Sequence, residues 1–156
     1  MKKSEIIFDQ LNKLGFEPIK LGDDNFIFSY EQMPLLYMGD EGDENFLRFA
    51  VPQMFDVTDE NRGVVLEAIS EVAEVLKYSK VCIMYGNSVW AFYEHCLLSY
   101  DNLSELLEHI IYVLGNTMTT FMRRMNGENI HPSLDNDDKN FDDIIDDEFK
   151  KLEEEL

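Results

Sequence analysis

The chain has 156 residues, 45% of them hydrophobic, with 13 basic against 32 acidic residues and a formal net charge of −19. That size and apolar content suit one packed domain with a tail. The charge repels phosphate backbones and anionic bilayers, so neither nucleic acid nor a membrane is expected as a partner.

The opening "MKKSEIIFDQLNKLG" has no long apolar run after its lysines, and so reads as neither signal peptide nor anchor. No apolar stretch reaches the roughly 18 residues of a membrane span. Cys82 and Cys96 are too few for a disulfide framework. A cytoplasmic location is expected.

A first helix should begin near Ser4, carry Ile7, Leu11 and Leu14 on one face, and end at Gly15. Extended segments follow in "FEPIKL", "FIFSY", "MPLLYM" and "FLRFAV". Phe26, Phe28 and Tyr30 share one face of the second of these. Pro52 should limit the last as a central strand. A second helix spans "VTDENRGVVLEAISEVAEVLKYSK", with Thr58 as N-cap and Val65, Ile69, Val72 and Leu76 buried.

"VCIMYGNSVWAFYEHC", from Val81 to Cys96, reads as a hairpin about Gly86-Asn87. A two-residue turn sets Tyr85 opposite Ser88, Ile83 opposite Trp90, Val81 opposite Phe92 and Cys82 opposite Ala91. Val81, Ile83, Trp90 and Phe92 then share one face, ending at Glu94. The other face, with Cys82, Met84, Val89, Ala91, Tyr93 and His95, carries smaller residues suited to packing under helices. Both faces are apolar, unlike those of a half-solvated sheet. The larger-residue face needs a cover: a helix of this chain, a second copy, or a foreign partner.

The third helix opens with Asn102 and Glu105 in a capping-box spacing and stops at Asn126-Gly127. Its stripe Leu103, Leu107, Ile110, Leu114, Met118, Phe121 and Met125 is broadened by Leu106, Ile111 and Met122. That breadth favours a homodimer. After it, residues 126–156 hold 12 acidic residues against 3 lysines. This is a disordered composition, yet Phe141, Ile145, Phe149, Leu152 and Leu156 recur at helical spacing, with Ile144 beside them. A short amphipathic helix that docks on a surface is the alternative to plain disorder.

The expected fold is α+β, an antiparallel sheet with helices in the order α-β-β-β-α-β-β-α, over residues 1–127. An acidic tail, 128–156, follows.

No catalytic motif is present, and His95, His109 and His131 lie at no metal-binding spacing. The acidic runs "DNDDKN" and "GDEGDEN" do not fit a calcium loop: the first has Lys139 and Asn140 at its fifth and sixth positions. No enzyme activity and no cofactor are expected.

This element order resembles the type III secretion chaperone-like fold, and more closely its YbjN-like members, regarded as sensory transduction regulators. The likeness rests on "FLRFAVPQMFDVTDENRGVVLEAISEVAEVLKYSKVCIMYGNSVWAFYEHCLL", with "TDENR" opening the middle helix, within Ser4 to Gly127. It implies a homodimer that binds extended protein segments, without enzyme activity or cofactor. The tail departs from that compact pattern.

The expected function is a non-enzymatic, chaperone-like or regulatory interaction module. Its partner-binding surface is Val81, Ile83, Trp90, Phe92, Phe121 and Met122, with Phe141, Ile145, Phe149 and Leu152 docking the tail. Two alternatives stay open: an acidic immunity or inhibitor protein masking a basic toxin or nuclease, and a small-molecule sensor with a pocket between sheet and helices.

Overall fold

The structure, a computed structural model, describes residues 1–40, 42–131 and 141–155. Its elements run α1 (Lys3–Lys13), β1 (Ile19–Leu21), β2 (Asn25–Tyr30), β3 (Met33–Met38), β4 (Phe46–Asp56), α2 (Arg62–Val75), β5 (Ser79–Met84), β6 (Ser88–Cys96), α3 (Leu103–Met125) and α4 (Phe141–Glu154). The fold is α+β, as expected; all four extended segments ahead of α2 form strands, one more than the order α-β-β-β-α-β-β-α counts, and the first pairs only over Ile19–Leu21, at the edge of the sheet. Every pairing is antiparallel, and the strand order is β1-β2-β3-β4-β6-β5. Among the described residues no helix is long and apolar enough to cross a membrane.

Glycines end two of the helices by the same device. Gly15 lies at φ 91° with Phe16 N–H donating to Leu11 O, and Gly127 at φ 85° with Glu128 N–H donating to Arg123 O. Each left-handed glycine folds the chain back over orphan carbonyls of the last turn. The helix starts differ from expectation. Thr58 stands outside α2, exchanging hydrogen bonds with Asn61, the N-cap: Thr58 N–H donates to Asn61 Oδ1 at 2.7 Å, and Asn61 N–H to Thr58 Oγ1 at 3.2 Å. Asn102 caps α3 from φ 60°, without a side-chain cap hydrogen bond, so no capping box forms. Pro52 does not end β4, because the register with β6 shifts between Val51 and Phe55 and the strand resumes beyond. A bulge of this kind accommodates a residue that has no N–H to give the ladder.

Three helices pack on one face of the sheet and make two apolar clusters. One gathers Ile7 and Leu11 of α1, Phe26, Tyr37 and Phe49 of the sheet, and Leu107, Ile110 and Leu114 of α3. The other gathers Val65, Ala68 and Val72 of α2 with Val89 and Phe121. Ser79 Oγ and Thr117 Oγ1 lie 2.6 Å apart, and Thr117 donates to Val113 O, which ties the start of β5 to the buried side of α3. Arg124 forks onto both oxygens of Glu71 and joins α3 to α2.

Phe121 and Met122, expected at an interface, therefore belong to the core. Phe121 is 0% exposed, edge-on to Phe55, and Met122 packs against the same cluster. The reason is that α2 lies against this end of α3 and takes up the breadth of its stripe. Phe121→Ala should cost about 3–5 kcal/mol of stability in urea unfolding. A loss below ~1 kcal/mol would return Phe121 to the surface.

Candidate functional site: the open face of the sheet

In a pleated sheet, neighbours across strands share a face. The register gives one unbroken row across all six strands: Lys20, Phe26, Tyr37, Phe49, Tyr93 and Ser79. This row lies beneath the helices. The adjacent row, Ile19, Ile27, Leu36, Ala50, Phe92 and Lys80, turns to the opposite face. Among the described residues, the helices α1, α2 and α3 pack on the first face and leave the second open.

The hairpin register differs from a two-residue turn by one position. Met84 pairs with Ser88, Ile83 with Val89, Cys82 with Trp90, Val81 with Ala91 and Lys80 with Phe92. The turn thus holds Tyr85, Gly86 and Asn87, with Gly86 at φ 88° and Asn87 at φ 57°. One residue of slip moves a whole strand to the other face. Val81 and Ile83 consequently leave the proposed surface and pack under the helices. Trp90 and Phe92 remain on the open face, and Lys80, Cys82 and Met84 join them.

The centre of this face is built from aromatic rings and a charged trio. Trp90 and Phe92 stack with centroids 5.9 Å apart. The Arg48 guanidinium lies 4.7 Å from the Phe46 ring centre and 5.7 Å from that of Phe92, and the Lys80 ammonium is also 5.7 Å from Phe92. Glu94 bridges the two cations, contacting Lys80 closely and Arg48 at 3.5 Å. Phe92 is only 3% exposed beneath them. Arg48 Nε is buried there without a hydrogen-bond partner among the described residues, and its contact with the rings offsets part of that cost. Towards β1 the face loses its charges and becomes plain hydrocarbon: Ile19 is 65% and Ile27 37% exposed, with Leu36 half-buried between them and the centre.

Burial raises the pKa of Glu94, but the hydrogen bond and charge of Lys80, then Arg48, outweigh it, holding the carboxyl below its ordinary 4.5. Cys82 moves the other way: burial pushes its thiol up, with Lys80 opposing, so it is a poor nucleophile here. Cys82 and Cys96 are both free.

The histidines do not converge on a reaction centre. His95 and His109 flank Tyr93, and His109 also meets Tyr78 edge-on at 5.1 Å. His131 lies 3.7 Å from Glu74. Among the described residues no group of three His, Cys, Asp or Glu is placed to hold a metal ion. The run "DNDDKN" lies outside the described residues, as do Glu41 of "GDEGDEN" and Leu156. The tail helix is present as α4, with Ile144, Ile145, Phe149 and Leu152 exposed; the Phe141 side chain lies outside the described residues.

No protein-family model and no curated protein matches the chain. Two solved structures share its fold. One is YbjN from E. coli, a candidate transcription regulator, at TM-score 0.60 and 10% identity, covering 79% of this chain and 92% of YbjN. The other is an uncharacterised protein from Methanothermobacter thermautotrophicus, at TM-score 0.51 and 15% identity, covering 78% and 97%.

Because the Glu94 pKa is depressed, its stabilisation is complete above the unfolded value of 4.5 and is lost as pH falls through the folded value. Glu94→Gln should therefore destabilise by a margin that is flat above pH 4.5 and narrows below it, read by urea unfolding at a series of pH values. A margin independent of pH would remove the ion trio from the account.

Proposed function

We propose that this chain, whose fold is YbjN-like, is a non-enzymatic protein-interaction module, and that a second copy of itself covers the open sheet face. The observation that carries this reading is the apolar end of that face, where Ile19 and Ile27 are exposed and Leu36 half-buried, continued past the shielded Ala50 and Phe92 by the half-buried Trp90. Contiguous apolar surface of this kind is uncommon on monomers and marks contact with another chain. The charges support a self-complementary pairing. Two cations flank one carboxylate at the centre, so a two-fold related copy sets Glu94 against Lys80 and Arg48. On a chain of net charge −19, this locally cationic spot is also where a second acidic chain meets little repulsion.

One observation favours a second reading, in which α4 lies over the face and limits self-association. Ile144, Ile145, Phe149 and Leu152 form an exposed stripe on an acidic helix, chemically suited to apolar surface carrying Lys80 and Arg48. Residues 132–140 separate α4 from His131, a span of up to about 30 Å.

Light scattering coupled to size exclusion, on the full chain and two variants, separates the readings. The expected result is a dimer that Trp90→Asp weakens by about thirty-fold or more, the scale of a buried aromatic anchor, and that Phe149→Asp leaves intact. A monomeric wild type that dimerises on Phe149→Asp would instead make α4 the cover. Monomers throughout would defeat self-association by either route.

A further inference from the structure

The edge strand β5 brings two sulfur atoms together on the open face. Cys82 and Met84, two positions apart on a strand, project to the same side of the sheet, and the Cys82 thiol donates to Met84 Sδ at 3.7 Å. Both residues are half-buried, so the sulfurs are partly dry yet within reach of solvent. Across the ladder Cys82 is paired with Trp90, and Met84 with Ser88. The Trp90 indole N–H donates to Ser88 Oγ at 2.9 Å, and its ring stacks on Phe92. Contacts at both ends therefore hold the indole beside the two sulfurs.

A thiol, a thioether and an aromatic face are soft, polarizable groups. Hard cations prefer oxygen, whereas paired sulfurs select Cu(I). The spacing agrees. Two metal–sulfur bonds of about 2.3 Å whose sulfurs lie 3.7 Å apart meet at about 110°. Such a bent pair leaves one side open for a third contact, and an indole face attracts a cation. Zinc lacks a ligand set here. Glu94 is taken by Lys80 and Arg48, and among the described residues no three His, Cys, Asp or Glu groups converge.

Charge favours a monovalent ion as well. Lys80 and Arg48 lie nearby and repel an added cation. An ion of charge +1 that replaces the thiol proton leaves the charge of the face as it was. The metal must displace that proton, which burial otherwise keeps on Cys82. We propose that Cys82, Met84 and Trp90 form a site for one Cu(I) ion, with the thiolate and the thioether as its ligands and the indole as its covering face. The site lies at the rim of the open face and needs only one copy of the chain, so it stands or falls apart from self-association.

The test is anaerobic titration of Cu(I), kept reduced by ascorbate, into the full chain against a bicinchoninate indicator. The expected result is one ion per chain withdrawn from the indicator, with a fall in the fluorescence of Trp90, the single tryptophan. Met84→Leu conserves volume and should weaken binding by about tenfold or more, since the loss of even an outer partner of a metal site costs that much. Cys82→Ser should abolish binding, whereas Cys96→Ser, at the other free cysteine, should leave it unchanged. Zinc in equal amount should not displace the ion. No withdrawal of copper, unmoved Trp90 fluorescence, displacement by zinc, or loss of binding with Cys96→Ser would each overturn the proposal. Binding that survives Cys82→Ser would overturn it too. If Cys82→Ser melts below wild type, Met84→Leu decides, and an affinity equal to wild type there overturns the site.

Discussion

A pleated sheet has two faces, and α1, α2 and α3 cover one of them. The row from Phe26 through Tyr37, Phe49 and Tyr93 is committed to that covered side, and period-two geometry commits Ile27, Leu36, Ala50 and Phe92 to the other. The ladder runs continuously across the six strands, so the assignment of any one strand constrains the rest. Thr117, buried and bonded to both Ser79 and Val113 O, fixes α3 against the first residue of β5. Register and helix placement therefore support each other. What is left uncovered follows from this arrangement, not from any irregularity in the sheet.

The uncovered side is partly self-shielded. Arg48 and Lys80 lie over Phe92, and Glu94 holds both. Long basic side chains lay their hydrocarbon stems along apolar surface while their heads stay wet. The shielding is uneven, since it protects Phe92 but leaves Ile19 and Ile27 bare. An exposed ion pair contributes little to stability by itself. Its more useful effect is to orient whatever approaches, because like-charged neighbours placed opposite it are rejected.

Much of this was legible in the residues. Gly15 and Gly127 marked helix ends because a left-handed carbonyl-capping turn strongly favours glycine. The alternation Phe26, Phe28, Tyr30 correctly placed two aromatics inside, with Tyr30 at the margin. The hairpin register was not recovered, because Gly86-Asn87 is compatible with both two- and three-residue turns. One signal was available: a two-residue turn would have put Lys80 on the face beneath the helices, an expensive position for an unpaired ammonium. The continuation of β4 past Pro52 could not be read, since a bulge depends on the partner strand. Phe121 and Met122 looked like surplus apolar surface because helical periodicity says nothing of α2 lying alongside.

The two apolar clusters beneath the helices have few members in common: Met54 and Val81 are the partly buried residues that pack against both. One cluster is organised by α1 and the first half of α3, the other by α2 and the last turns of α3. The molecule is thus two packed halves joined by a long helix on one side and a bulged strand on the other, with β4 changing register near the boundary. The row on the bare face crosses that boundary without a break. A chain laid along it would act as a splint, coupling the local opening of one half to that of the other. Occupancy at Trp90 would then be felt as stiffness as far away as α1.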